Sequence, residues 1–212
     1  QYASSTSTSS SYTYTISHMT AFVPGAAYTV QATYSTNSAN FVASKPVATS
    51  TFTVTVGSSN STLAVSPSSS VYGTQVTLTH AIGTTYWSAA APTGTVTYTD
   101  VSTGVLLGVV SSSGFTGAGP YVAVLTVSGS WPLQAGTVSL QSVYSGDVNY
   151  GASSAATSTG VSTAPTSVGV IFTSNPFAYG AAAPLTITIT NTQSGSVQAP
   201  VGSATVNFYT QS

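Results

Sequence analysis

Leu185-Thr186-Ile187-Thr188-Ile189-Thr190 switches between an apolar and a hydroxyl-bearing side chain at every residue. Side chains of a β-strand point to opposite faces with a period of two, so this run has one greasy face and one wet face. Thr51-Phe52-Thr53-Val54-Thr55-Val56 repeats the pattern, and Tyr28-Thr29-Val30-Gln31-Ala32-Thr33-Tyr34 follows it less strictly. Further strands are expected at Leu63-Ala64-Val65, Gln75-Val76-Thr77-Leu78-Thr79, Val105-Leu106-Leu107-Gly108-Val109-Val110 and Tyr121-Val122-Ala123-Val124-Leu125-Thr126-Val127. Turn signals separate them: Pro24-Gly25, Tyr72-Gly73, Pro92-Thr93-Gly94, Ser113-Gly114 and Ser145-Gly146-Asp147. No segment carries a helical period. Many short strands at this spacing predict an all-β sandwich.

The strands recur at a fixed distance. Tyr72-Gly73 returns as Tyr179-Gly180, 107 residues later, and Ala91-Pro92-Thr93-Gly94 returns as Ala199-Pro200-Val201-Gly202, 108 later. Thr95-Val96-Thr97-Tyr98 matches Thr205-Val206-Asn207-Phe208. In the other direction, Gly136, Tyr144 and Asn149-Tyr150 match Gly25, Tyr34 and Asn40-Phe41, at 111, 110 and 109. Self-similarity of this kind marks tandem modules. Residues 57–164 read as one complete module, residues 1–56 as the back half of another, and residues 165–212 as a front half.

The complete module resembles the bacterial immunoglobulin-like domain repeats of prokaryotic surface proteins. The likeness rests on Val71-Tyr72-Gly73-Thr74 with Val76-Thr77-Leu78-Thr79, on Ala91 to Tyr98, on Gly136 with Leu140, and above all on Tyr144-Ser145-Gly146-Asp147 with Asn149-Tyr150. The flanking halves match more loosely, since Tyr34-Ser35-Thr36-Asn37-Ser38-Ala39-Asn40-Phe41 lacks the Gly-Asp pair. The resemblance implies a seven-stranded sandwich with spacer, adhesive or scaffold roles, and no catalytic site.

Composition narrows the function. The chain has one Lys (Lys45), no Arg, no Glu and two Asp (Asp100, Asp147), so charged residues are 1%, against about 25% in an average domain. One cation cannot neutralise a phosphate backbone, which argues against nucleic-acid binding. No apolar run approaches the roughly 18 residues of a spanning helix. Abundant Val, Thr, Ile and Tyr argue against disorder. Salt bridges are not a stabilising force here, and tolerance of acid and high salt is expected. A surface with a net charge near zero lacks the repulsion that keeps molecules apart, so it assembles, carries glycans, or both. Cysteine is absent. The start Gln1-Tyr2-Ala3-Ser4-Ser5 lacks a signal peptide's basic and apolar regions, and an extracellular, prokaryotic surface location is expected.

Residues that suggest chemistry have plainer readings. Asp147 sits in a calcium-like loop, but calcium takes six to eight oxygens and usually several carboxylates, so an Asx-type turn is expected. His18 and His80 have no paired ligand nearby. Serines abound without a base and orienting acid in motif spacing, and neither an enzyme nor a cofactor is expected. Lys45 lacks the neighbouring acid that an isopeptide bond would need. Trp87 and Trp131 fit packing at the end of a sandwich better than sugar binding. Asn60-Ser61-Thr62, following Gly57-Ser58-Ser59, is a candidate N-glycosylation acceptor expected in a linker.

Two half sandwiches that cannot each bury a core need a partner. The halves can meet between copies, within one chain, or with neighbours in a longer tandem array. The expectation favoured here is the first: a homo-polymer joined through Leu185, Ile187, Ile189, Val206 and Phe208 of one copy and Tyr28, Val30, Phe52 and Val54 of the next. A head-to-tail contact of this kind generates open filaments.

Overall fold

The computed structural model describes residues 11–16, 21–44, 48–84, 90–128, 133–195 and 198–210. Their regular structure is almost wholly strand. The N-terminal hairpin pairs β1 (Ala27–Ala32) with β2 (Ala48–Thr53). The central module follows, with β3 (Ser59–Ser66), β4 (Ser69–Val71), β5 (Val76–Thr84), β6 (Thr95–Asp100), β7 (Val105–Ser111), β8 (Tyr121–Val127), β9 (Gly136–Tyr144) and β10 (Ser153–Ser162). A second hairpin pairs β11 (Thr166–Phe172) with β12 (Leu185–Asn191). The one helical element among the described residues is a 3-10 turn, Ser112–Gly114.

The central strands form two sheets, β3-β5-β8 and β4-β10-β9-β6-β7. All ladders are antiparallel except β4 with β10. This is a two-sheet sandwich, as the strand pattern predicted, of the immunoglobulin-like kind that the resemblance implied. Alternation puts Val76, Leu78 and Ile82 of β5 into the core, and it does the same for Val96 and Tyr98 of β6 and Val138, Leu140 and Tyr144 of β9. Burying each such aliphatic side chain contributes about 1.5–3 kcal/mol.

Tyrosine hydroxyls tie the layers together. Tyr98, on one sheet, reaches across the core and donates to the Ala123 carbonyl on the other at 2.7 Å. Burial pushes its phenol up to about 12, with an opposing pull from a hydrogen bond at His80. Tyr150 donates to the Ala90 carbonyl at 2.8 Å and Tyr144 to the Thr93 carbonyl at 2.8 Å. Each phenol thus buries its ring and satisfies its polar tip.

Several sequence expectations shift. The strand expected at Thr51 to Val56 runs from Ala48 to Thr53 instead, although the Val54 carbonyl still accepts from Gly25 N at 2.8 Å. Thr205 to Phe208, including Val206 and Phe208, is not a strand: no partner strand pairs with it among the described residues. Asn60 lies inside β3 opposite Gly83 rather than in a linker. Ser59 and Ser61 face inward here, so the polar stretch is strand and not spacer. The Asn60 side chain is exposed. His18, Lys45, Trp87 and Trp131 lie outside the described residues.

Tyr98→Phe removes the cross-core hydroxyl and its hydrogen bond to the Ala123 carbonyl. Urea unfolding should show a loss of about 1–3 kcal/mol with little change in the m-value.

Candidate assembly surfaces at the two ends

The central module keeps its chemically active groups for its own architecture. His80 is fully buried on β5. Its Nδ1 lies 2.6 Å from Ser142 Oγ on the opposite sheet, and its Nε2 lies 3.0 Å from Ser61 Oγ on β3. Ser61 Oγ is 2.6 Å from Ser153 Oγ, which is 2.8 Å from Ser59 Oγ. Ser59 in turn reaches the Gly151 carbonyl at 2.7 Å. A neutral imidazole donates at one nitrogen and accepts at the other, so both fit this chain of hydroxyls. Burial lowers the His80 pKa to about 4. The chain runs from Ser142 and His80, both fully buried, out to the half-buried Ser61, Ser153 and Ser59, and it links the two sheets.

Asp147 is a second hub. Its Oδ1 accepts from Asn149 N at 2.7 Å and Tyr150 N at 2.8 Å. Its Oδ2 accepts from Thr93 N at 2.5 Å and the Thr93 hydroxyl at 3.0 Å, and it lies 3.1 Å from the Tyr144 hydroxyl, whose single proton is shared between it and the nearer Thr93 carbonyl. Burial alone would raise its pKa, but the donated hydrogen bonds outweigh burial and hold the carboxyl below its ordinary value. Burial, then the Asp147 charge, drives the Tyr144 phenol upward. Gly146 enters this turn with φ +73°, and a Cβ there would meet Ala152 N at 2.7 Å, which accounts for glycine in the signature. The turn is built from donors to a carboxylate, as an Asx turn is. Asp100 likewise accepts from Ser102 N at 2.9 Å and the Thr103 hydroxyl at 2.8 Å. No group of three metal-ligating side chains occurs among the described residues. A cleft of about 270 Å³, between the central module and the C-terminal hairpin, is lined by residues such as Tyr72, Thr166, Asn191 and Pro200 and has no carboxylate, imidazole or amine in its wall.

The end hairpins are different. Directly opposed residues of an antiparallel pair share a face. In β11–β12 the pairs Val168↔Ile189, Val170↔Ile187 and Phe172↔Leu185 therefore form one continuous apolar face. Val168 is 64% exposed and Val170 54%. Leu185 and Ile187 are half-buried, and Phe172 packs edge-on against Phe177 at 5.6 Å. In β1–β2, Tyr28 stands opposite Phe52 with ring centroids 5.5 Å apart, and Phe22 packs edge-on against both. Val30 is exposed on the same face, while Val54 is half-buried. Val206 and Phe208 are exposed in a segment with no ladder, Phe208 at 76%. Each hairpin is a sheet of two strands, paired only with itself among the described residues. The structure thus groups Leu185, Ile187 and Ile189 on one hairpin and Tyr28, Val30 and Phe52 on the other, and leaves Val54, Val206 and Phe208 outside both ladders.

The hairpins copy particular parts of the central module. Every pair of β11–β12 is a pair of β3–β5 moved by 107 residues on both strands: Ser59↔Thr84 becomes Thr166↔Asn191, and Val65↔Leu78 becomes Phe172↔Leu185. With Tyr34 matched to Tyr144, β1–β2 copies β9–β10, so Tyr28 answers Val138, Val30 answers Leu140 and Phe52 answers Thr159. At the His80 position the copy carries Ile187, and at the Ser61 position it carries Val168.

No family model matches the chain, and no curated protein matches it. Among solved structures, the crystal structure of the full ectodomain (Ig1–Ig3) of mouse nectin-like molecule 4 aligns at 12% identity with a TM-score of 0.30. That alignment covers 66% of this chain and 55% of the ectodomain chain.

The His80 pKa has a stability consequence. The unfolded chain takes up a proton near pH 6.5, and the folded chain resists it until about pH 4. Stability is therefore intact above pH 6.5, falls between 6.5 and 4, and levels off below. Asp147 acts in the same direction further into acid, as pH drops through the carboxylate range. His80 thus works against the acid tolerance expected from composition. His80→Ile combined with Ser61→Val and Ser142→Ala should flatten urea-melt stability between pH 6.5 and 4, where the parent loses roughly 3 kcal/mol. Asp147→Ala should cost about 2–3 kcal/mol at pH 7 and much less at pH 2.

Proposed function

We propose that the chain is the structural subunit of an extracellular surface filament. Copies join head to tail, each end hairpin completing a sandwich with the opposite end of a neighbour. The observation that carries this reading is the complementarity of the ends. One copies β9–β10, the other copies β3–β5, and each leaves its apolar face open. Unpaired edges and greasy faces on a chain with one Lys and two Asp have almost no charge to discourage pairing. A joint drawn from about 50 residues a side would bury on the order of 2,000 Å² or more, as obligate interfaces do.

The role is mechanical: adhesion, contact between cells or a biofilm scaffold on a prokaryotic surface. The likeness of Tyr144 to Tyr150 to the bacterial immunoglobulin-like repeats supports that setting. The chemically capable groups, His80 and Asp147, are engaged in holding the central sandwich, which supports a role without catalysis. Asn60, exposed on β3, is a candidate glycan site.

The regular spacing of 107 to 111 residues also favours a second reading. In it, the chain is a two-module stretch of a longer adhesin stalk, and each half is completed by covalently linked neighbours. Light scattering and negative-stain electron microscopy of the purified chain separate the two. The filament reading expects unbranched threads that persist in high salt, and a discrete monomer would reject it. A permuted chain, with residues 165–212 placed before residue 1, should be a stable monomer with no free ends to offer.

A further inference from the structure

The central module shows which strands each end lacks. There β8 has one ladder partner, β5, while β6 pairs with β9 and β7. In the ends, β12 stands for β5 and β1 stands for β9. The counterpart of β8 is Tyr12-Thr13-Tyr14-Thr15-Ile16, which aligns with Tyr121-Val122-Ala123-Val124-Leu125 at a distance of 109. The counterpart of β6 is Thr205-Val206-Asn207-Phe208. Both counterparts alternate like strands, yet neither has a ladder. Tyr12 is 85% and Tyr14 92% exposed.

The ladders sort cleanly. The two that form at the ends, β1–β2 and β11–β12, join strands from the same half. The two that are missing would join strands from opposite halves: the β8 counterpart near the start to β12 near the end, and the β6 counterpart near the end to β1 near the start. Among the described residues β12 has one ladder partner, β11, and β1 has one, β2, where their central counterparts β5 and β9 have two each.

Resting on the filament reading above, we propose that both missing ladders form between the same two copies and copy the central registers. The β5–β8 register then places Tyr12 of one copy opposite Ile189 of the next, Tyr14 opposite Ile187, and Ile16 opposite Leu185. The β6–β9 register places Val206 opposite Tyr34 and Phe208 opposite Ala32. The occupant of each edge is thus a second copy of this chain. Aromatic residues face β-branched or aliphatic ones at most of these positions, the pairing that sheets favour.

The chain has no cysteine, so introduced thiols report cleanly. Two double variants test adjacent rungs, Tyr14→Cys with Ile187→Cys and Thr13→Cys with Thr188→Cys. One of the two must be the closely spaced, non-hydrogen-bonded type that suits a disulfide. Tyr14→Cys with Leu185→Cys is the slipped control. Oxidised threads should give covalent multimers on denaturing gels, at least tenfold more for one matched pair than for the control. Threads that cross-link only in the slipped control, or a product that is only a cross-linked monomer, would overturn the proposed register or the second copy. Hydrogen exchange on the unaltered chain avoids any effect of substitution. Amides of residues 12–16 and 205–208 should exchange at least tenfold more slowly in threads than in dissociated chains. Threads with no such protection overturn the register alone. A chain that forms no threads removes the filament reading and this inference together.

Discussion

A sandwich holds only while two sheets close on one another, and every part of this chain follows from whether that closure is met. In the middle it is met. The β5–β8 and β6–β9 ladders set four strands facing each other, and Leu78, Ile82, Val96, Tyr98 and Leu140 fill the space between them. At the ends each hairpin has one face and no opposing layer among the described residues. The same alternation of apolar and hydroxyl side chains therefore yields a packed core in one place and a bare surface in two others. Strand pairing within a hairpin is local and forms readily, whereas the opposing layer has to come from distant sequence or another molecule.

The interior of the central module is not uniformly greasy. His80 and its serines cross the gap between sheets, and Tyr98 crosses it a few ångströms away, with its ring edge-on to the imidazole at 6.5 Å. Such networks are costly when incomplete, and this one is closed at each His80 nitrogen. They also fix which residue faces which, since a slip of one position would leave several buried polar atoms unpaired. The Asp147 turn fixes the link from β9 to β10 and ties the loop before β6 onto it.

Much of this architecture was legible in the sequence. Leu185 to Thr190 was readable because its alternation is strict, and Tyr121 to Val127 because it is a short apolar, Val-rich run next to a turn signal; the partners of both lie in the same chain. Thr205 to Phe208 was readable as a pattern but not as an outcome: a strand needs a partner, and alternation says nothing of where that partner sits. The β3 boundary was missed because Ser59 and Ser61 point inward. A hydroxyl in a core reads as a loop residue until its hydrogen-bond partner is known. His80 could have been placed from its phase, since Val76, Leu78 and Ile82 occupy the same face of β5. Its link to Ser142, 62 residues away, leaves no local trace.

The substitution of Ile187 for His80 and Val168 for Ser61 in the C-terminal copy bears on behaviour in acid. Where the central module depends on an uncharged imidazole, its terminal relative has only hydrocarbon at the same register position. In the filament proposed above, acid would act first on the central module, through His80, and would find no such group among the hydrocarbon side chains Val168 and Ile187.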